Sequence, residues 1–302
     1  MSKLITVFGA TGNQGGSVIK HILADSTLSK TFKIRGITRD ISKPAAQALA
    51  KQGVELKTAD LSDKSSVTEA LNGSDTVFLV TNYWESAKYD VEFSQGKNVA
   101  DAAKELGIQH LIFSTLLHVG KVTNGRLSHV PHFEAKADIE EYIKKIGIPA
   151  SFYLPGYFMS NFTQSVQKGQ DGSLSFAFPV GKDAKFPLID IAEDTGKFVN
   201  GILKNRDATL NKHVLGAEDY YTPEQIRSGL EAATGKRTHY AQITAKQYKG
   251  FLPAFIAEEM LENHLFIEEP GYYAGADLKD SHDMVEEKLV SWEEYIRKSG
   301  AF

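Results

Sequence analysis

The sequence predicts an α/β protein, a doubly wound parallel sheet with helices on both faces and a smaller, partly helical cap toward the C-terminus. Three observations predict it. A glycine-rich strand–turn–helix stretch opens the chain, from Leu4 to Ile19. Apolar runs of strand length then alternate with helical segments as far as Thr115, and parallel strands with right-handed crossovers are the economical assembly for such an alternation. The run Thr76-Val77-Phe78-Leu79-Val80 is almost wholly apolar, as a parallel strand covered on both faces must be.

The opening stretch places glycines at Gly9, Gly12 and Gly15. Gly9 permits a sharp turn out of the strand, Gly12 removes a Cβ where a pyrophosphate approaches, and Gly15 allows tight helix–strand packing. The helix start then offers free N–H groups and a positive dipole end to phosphates. This is a dinucleotide cradle, with the spacing G-x-x-G-x-x-G.

The first helix spans about Asn13 to Ala24, followed by a polar connector, Asp25 to Thr31. Strand two is Phe32 to Thr38. Arg39 and Asp40 stand at its carboxyl end, where the adenosine ribose lies in this fold. A basic residue there pairs with the 2′-phosphate of NADP, whereas an acidic one alone favours NAD. Arg39, with Lys43 one turn later, points to NADP(H); Asp40 speaks against it, and a plain surface charge is the alternative for Arg39. Helices at about Lys43 to Gln52, Lys64 to Leu71 and Val91 to Leu106 separate strands at Val54 to Thr58, Thr76 to Val80 and His110 to Thr115. Asp60 and Leu61 follow strand three, where such folds cover the adenine; Asp60 also suits a turn or N-cap. Thr81-Asn82-Tyr83-Trp84 follows strand four, in the crevice where ligands bind.

Beyond strand five, Leu116 to Pro131 reads as a loop, then a helix runs from about His132 to Ile146 and strand six from Ala150 to Leu154. Residues 1–155 form the nucleotide domain, with a returning segment near 185–206. Residues 156–302 form the interleaved cap, with helices at about Pro223 to Thr234, Pro253 to Asn263 and Ser281 to Ile296. Short strands are expected near Lys212 to Leu215 and Thr238 to Ile243. The aromatic stretch Pro155 to Phe162 can roof the nicotinamide site, although Tyr157 alone fits a core cluster equally well.

Composition excludes several function classes. A net charge of −4 argues against unaided binding to nucleic acid or an anionic membrane. No apolar run is long enough to span a bilayer, and the chain enters strand one directly, so the expected location is cytoplasmic, with the nucleus also open. There are no cysteines, which removes disulfides, Cys-ligated zinc and thiol redox chemistry. The nine histidines show no metal-ligand spacing.

The catalytic expectation divides. Reductases of this architecture carry Tyr-x-x-x-Lys on the helix after strand five, with both side chains on one face. The lysine holds the nicotinamide ribose and the tyrosine supplies a proton. Here the helix reads His132-Phe133-Glu134-Ala135-Lys136. His132 is then a substitute acid, weakened by the helix N-terminus, or Lys136 only holds the ribose and ordinary carbonyl chemistry is lost. The absent phenol favours the second.

G-A-T-G-N-Q-G-G, T-R-D after strand two, V-T-N-Y-W-E-S after strand four, H-F-x-x-K and P-G-Y-F…N-F together resemble the NmrA-like family. These are atypical short-chain dehydrogenases/reductases with a Rossmann fold, and the likeness is strongest to their animal redox-sensor branch. The resemblance implies cofactor contacts at Gly9, Ala10, Thr11, Gly12, Asn13, Gln14, Gly15, Arg39, Lys43, Asp60, Leu61, Thr81, Asn82, Tyr83 and Lys136. It implies further contacts at Tyr157, Phe158 and Asn161. It also implies an NADP(H)-binding regulator or redox sensor, non-catalytic or weakly catalytic, that acts through a protein partner such as a regulator of transcription or as a homodimer. The alternative is an NADPH-dependent oxidoreductase of the quinone or isoflavone reductase kind, with a small-molecule substrate.

Overall fold

The computed structural model describes residues 2–302. The nucleotide-binding unit runs β1 (Lys3–Val7), α1 (Asn13–Ala24), β2 (Phe32–Thr38), α2 (Pro44–Ala50), β3 (Glu55–Thr58), α3 (Lys64–Leu71), β4 (Thr76–Leu79), α4 (Tyr89–Glu105), β5 (His110–Ser114), α5 (Pro131–Ile146) and β6 (Ala150–Pro155). The chain continues through β7 (Tyr157–Phe158), β8 (Gln167–Lys168), β9 (Leu174–Phe178), β10 (Phe186–Ile189), α6 (Thr195–Lys204), β11 (His213–Gly216) and β12 (Asp219–Tyr221). It ends with α7 (Pro223–Thr234), β13 (Thr238–Gln242), α8 (Ala245–Gly250), α9 (Ala254–Glu268) and α10 (Trp292–Ser299).

Seven parallel strands form the main sheet in the order β11-β6-β5-β4-β1-β2-β3. Alternation along the strands feeds two cores. Val77 and Leu79 of β4 and Leu111 and Phe113 of β5 pack with α3, α4 and α5. Phe78 and Ile112 point the other way, toward Val18 and Ile19 of α1 and Phe198 and Val199 of α6. Both faces are therefore covered, as parallel pairing requires. Two three-stranded sheets, β12-β10-β7 and β13-β9-β8, build the cap.

Three expectations are corrected. The strand near Lys212 to Leu215 belongs to the main sheet and not to the cap, since His213 to Gly216 pair in parallel with Phe152 to Pro155. α6 brings the chain there by docking on α1, where the Gly196 N–H donates to Ser17 Oγ at 2.9 Å and Asn200 Nδ2 to the His21 carbonyl at 3.0 Å. The helix expected over Ser281 to Ile296 is two pieces, Lys279–His282 and α10. Ser291 starts α10 afresh through a capping box with Glu294, and the Val290 N–H is held by the buried Asp194 carboxylate. α9 runs five residues further than the expected Asn263, to Glu268. Smaller helical turns at Leu28–Thr31 and Val119–Val122 occupy segments read as connectors.

Candidate active site

A single cleft of about 1360 Å³ follows the carboxyl ends of the main-sheet strands and continues beneath the cap. At one end lies the glycine turn. Gly9 has φ +64°, a left-handed conformation that a side chain would strain. A Cβ on Gly15 would sit 2.3 Å from the Gly9 carbonyl oxygen, so helix and turn can meet this closely only at glycine. α1 begins with no side-chain cap and no acidic residue in its first turn. Its first N–H groups, which have no partner within the helix, thus stay available to an anion. Gly9, Thr11, Gly12, Asn13, Gln14 and Gly15 line the cleft. Ala10 does not; it is buried, and its N–H donates to the Ile37 carbonyl at 3.1 Å. The Ser114 hydroxyl, which no motif marked, donates to Gln14 Oε1 at 2.8 Å and fixes that side chain at the end of β5.

Arg39 projects into solvent at the cleft edge and pairs with Glu85. Lys43 precedes α2 at its N-cap and is not among the lining residues. Asp40 is turned into its own loop, where Oδ1 accepts from the Ser42 N–H at 2.8 Å and the Ser42 hydroxyl at 2.6 Å. These bonds hold its carboxyl below the usual range. Asp60 lines the cleft as a turn residue, accepting from the Ser62 N–H at 2.8 Å, with Leu61 beside it.

Thr81, Asn82 and Tyr83 leave β4 and line the centre of the cleft, opposite His132 and Lys136 of α5. Lys136 Nζ donates to the Thr81 carbonyl at 3.1 Å, to Thr81 Oγ1 at 2.8 Å and to Glu92 Oε1 at 2.6 Å. Glu92, in the first turn of α4, is 1 % exposed, and its second oxygen, Oε2, has no partner. Sequence reasoning missed it because an acidic residue in a first turn already has a reason to be there.

His132 meets the cap. Its Nδ1 lies 2.5 Å from Glu259 Oε1 on α9, and its backbone N–H reaches the same oxygen at 3.2 Å. One turn on, Glu262 accepts from the His129 N–H at 2.5 Å and contacts His129 Nδ1 at 2.7 Å. The Tyr83 hydroxyl is 3.4 Å from Glu259 Oε2, and burial together with that carboxylate pushes its pKa up to about 12. Glu259 and Glu262 read in sequence as solvated helix charges. Their burial beside a histidine-rich loop was the missing information.

On the cap side, Tyr157, Phe158 and Asn161 line the cleft with Ile256, Met260, Asn263 and His264 of α9. His264 Nδ1 donates to the Met260 carbonyl at 2.9 Å, which leaves Nε2 as the acceptor 3.5 Å from the Tyr157 hydroxyl. Burial pushes the His264 pKa down to about 4, so the ring is neutral.

A match to the NmrA-like family spans residues 1–296. The chain belongs to the NmrA-like family. An NmrA-like family domain-containing oxidoreductase of Malbranchea aurantiaca is 34% identical over 259 residues, covering 80% of this chain and 76% of the relative. Among solved structures, NmrA, a negative transcriptional regulator, in complex with NADP superposes with a TM-score of 0.82 at 21% identity, covering 98% of this chain and 95% of the other. An NADPH-dependent quinone oxidoreductase from Escherichia coli gives 0.74 at 22% identity, covering 98% and 99%. The NmrA-like fold thus extends over both the sheet and the cap. Among the described residues no helix is long and apolar enough to cross a membrane.

Proposed function

We propose that this chain is an NADP(H)-dependent reductase of a small conjugated acceptor, a quinone or enone, with His132 as proton donor. The observation that carries it is the Glu259 carboxylate on His132 Nδ1. A carboxylate there fixes the tautomer and the orientation of the ring, leaving Nε2 for a ligand in the cleft. His132 then stands where the family's tyrosine would, and Lys136 keeps its place one turn on.

The residues fit the dinucleotide. The glycine turn and open start of α1 suit a pyrophosphate, and Arg39 suits a 2′-phosphate. Glu85, an exposed partner in an ion pair worth at most about 1 kcal/mol, is readily exchanged for that phosphate. Asp40 turns Oδ1 to Ser42 in its own loop. Bound NADPH supplies the hydride. His132 gives its proton to the acceptor oxygen as the acceptor carbon is reduced, and Glu259 holds the ring in line while solvent restores the proton. Lys136 orients the ribose. The naming of the fungal relative as an oxidoreductase agrees with this reading.

One observation favours the second reading, a cofactor-responsive regulator. Lys136 is fully engaged by Thr81 and Glu92, so ribose binding would have to rearrange that network and could carry occupancy into shape. The test is loss of reduced-nicotinamide absorbance against a panel of quinones, enones and aldehydes. The reductase reading expects steady turnover that falls sharply in Lys136→Ala and His132→Ala. A flat trace across the panel, with NADPH bound and protease sensitivity altered, would leave the regulator.

A further inference from the structure

We infer that the mouth of the cleft is a subsite for an extended apolar chain, so that the acceptor is a conjugated head whose alkyl or prenyl-type tail leaves the site between Trp84 and Phe255. The inference rests on the reductase reading and specifies its substrate class. At about 1360 Å³ the cleft exceeds the roughly 300–1,000 Å³ usual for one small-molecule site, which leaves room for such an acceptor beside the dinucleotide.

Exposed apolar surface is concentrated at this mouth. Phe251-Leu252-Pro253-Ala254-Phe255-Ile256 is a run of six apolar residues that joins α8 to α9. Phe251 is 72 % and Phe255 79 % exposed, and Trp84, on the nucleotide-binding unit, is 49 % exposed. These are three of the four large apolar side chains that stand exposed among the described residues. A consecutive apolar run on the surface is unfavourable unless a ligand or partner covers it.

Leu252 and Ile256 of the run line the cleft, as does Trp84, so the run is the cleft's own lip. Phe255 lies four residues before Glu259, on the same face of α9, about 6 Å along the helix from the carboxylate that meets His132. The Trp84 ring stands 5.1 Å from the His132 ring, centroid to centroid. A substituent that leaves a head beside His132 therefore meets Trp84 on one side and Ile256 and Phe255 on the other. The lip is fixed in place. Lys249 Nζ pairs with Glu258 at 2.7 Å, tying α8 to α9, and the Phe251 and Ile256 N–H groups donate to the Tyr248 and Pro253 carbonyls, each at 3.1 Å. That ion pair bounds the apolar strip on the cap, and the Arg39–Glu85 pair bounds it beside Trp84. A strip hemmed by charge and continuous with the cleft suits a chain attached to the cleft's ligand better than a broad protein face.

The test is equilibrium binding to NADP⁺-loaded protein, where no hydride is available, with 4-methylcyclohex-2-enone and 4-octylcyclohex-2-enone as probes. The chain has no cysteine for an enone to alkylate. The inference expects the octyl probe to bind at least about tenfold tighter, because each methylene fully removed from water is worth about fourfold. It also expects the octyl probe to shift Trp84 emission to the blue. Trp84→Phe removes that signal, since the second tryptophan, Trp292, is buried. Phe251→Ser/Phe255→Ser is expected to cut the chain preference to about threefold or less and to leave NADP⁺ affinity unchanged, which also reports that the variant is folded. Equal binding of the two probes, binding of neither, or a preference that survives the double variant would overturn it. So would self-association, or adsorption to phosphatidylcholine vesicles, that the double variant abolishes while wild type shows no chain preference, because the lip then serves a second copy or a membrane. The reductase reading is judged separately by turnover against the acceptor panel, so the two can fail independently.

Discussion

Glu259 Oε1 lies 2.5 Å from His132 Nδ1, joining the cap to the helix position where a catalytic tyrosine is otherwise expected. The contact is buried on both sides. If the carboxylate's task is to orient the imidazole, Glu259→Gln keeps the shape and loses the charged acceptor. We expect kcat to fall about 100-fold with NADPH affinity within twofold of wild type, measured by steady-state kinetics and by titration of the bound nucleotide.

Under the proposed function, Arg39 is the residue that sets a preference for NADP(H). Arg39→Gln should weaken NADPH binding by about tenfold or more, the scale of a lost charge-assisted contact to phosphate, and leave NADH binding nearly unchanged. Parallel titrations of both nucleotides measure it.

The Lys136–Glu92 pair is 13 % and 1 % exposed at its two side chains. Removing one member leaves the other charge buried and unpaired, a loss of about 3–5 kcal/mol. Glu92→Leu should therefore lower the denaturant midpoint strongly. Glu92→Leu/Lys136→Met, which removes both charges, should recover much of the loss, as a double-mutant cycle would record.

Two buried histidines set an acid limit. Burial lowers His264 and His110 to about 4 from an ordinary 6.5. A depressed histidine contributes stability that is present above pH 6.5 and lost as pH falls toward 4, because the unfolded chain takes up the proton first. Each contributes on the order of 3 kcal/mol over that window. Unfolding free energy should fall between pH 6.5 and 4, and His110→Gln, away from the cleft at its bond to Ser151, should flatten the slope.

The sheet was legible because its signals are local. Gly9, Gly12 and Gly15 mark a turn, and the apolar runs at Thr76 and His110 have the length and residue types of buried parallel strands. The expected helix over Lys64 to Leu71 matches α3 because Asp63 caps one end. What the sequence hid depends on contacts between distant residues. His213 to Gly216 reads as any short strand, and only the docking of α6 on α1 carries it to the edge of the main sheet. Glu92, Glu259 and Asn263 look like solvent-facing helix residues until tertiary packing buries them around the cleft. The cradle could be read from spacing alone. The polar partners of Lys136 and His132 could not, since they lie 44 and 127 residues away in sequence.

Hydride transfer itself tests the central claim most directly. NADPH deuterated at the transferable C4 position is incubated with the protein and an enone from the active panel, and the product is examined by mass spectrometry. The account predicts one deuterium on the reduced carbon, at a rate that drops in Glu259→Gln. Nicotinamide that stays reduced, with product carbon free of deuterium, would contradict it.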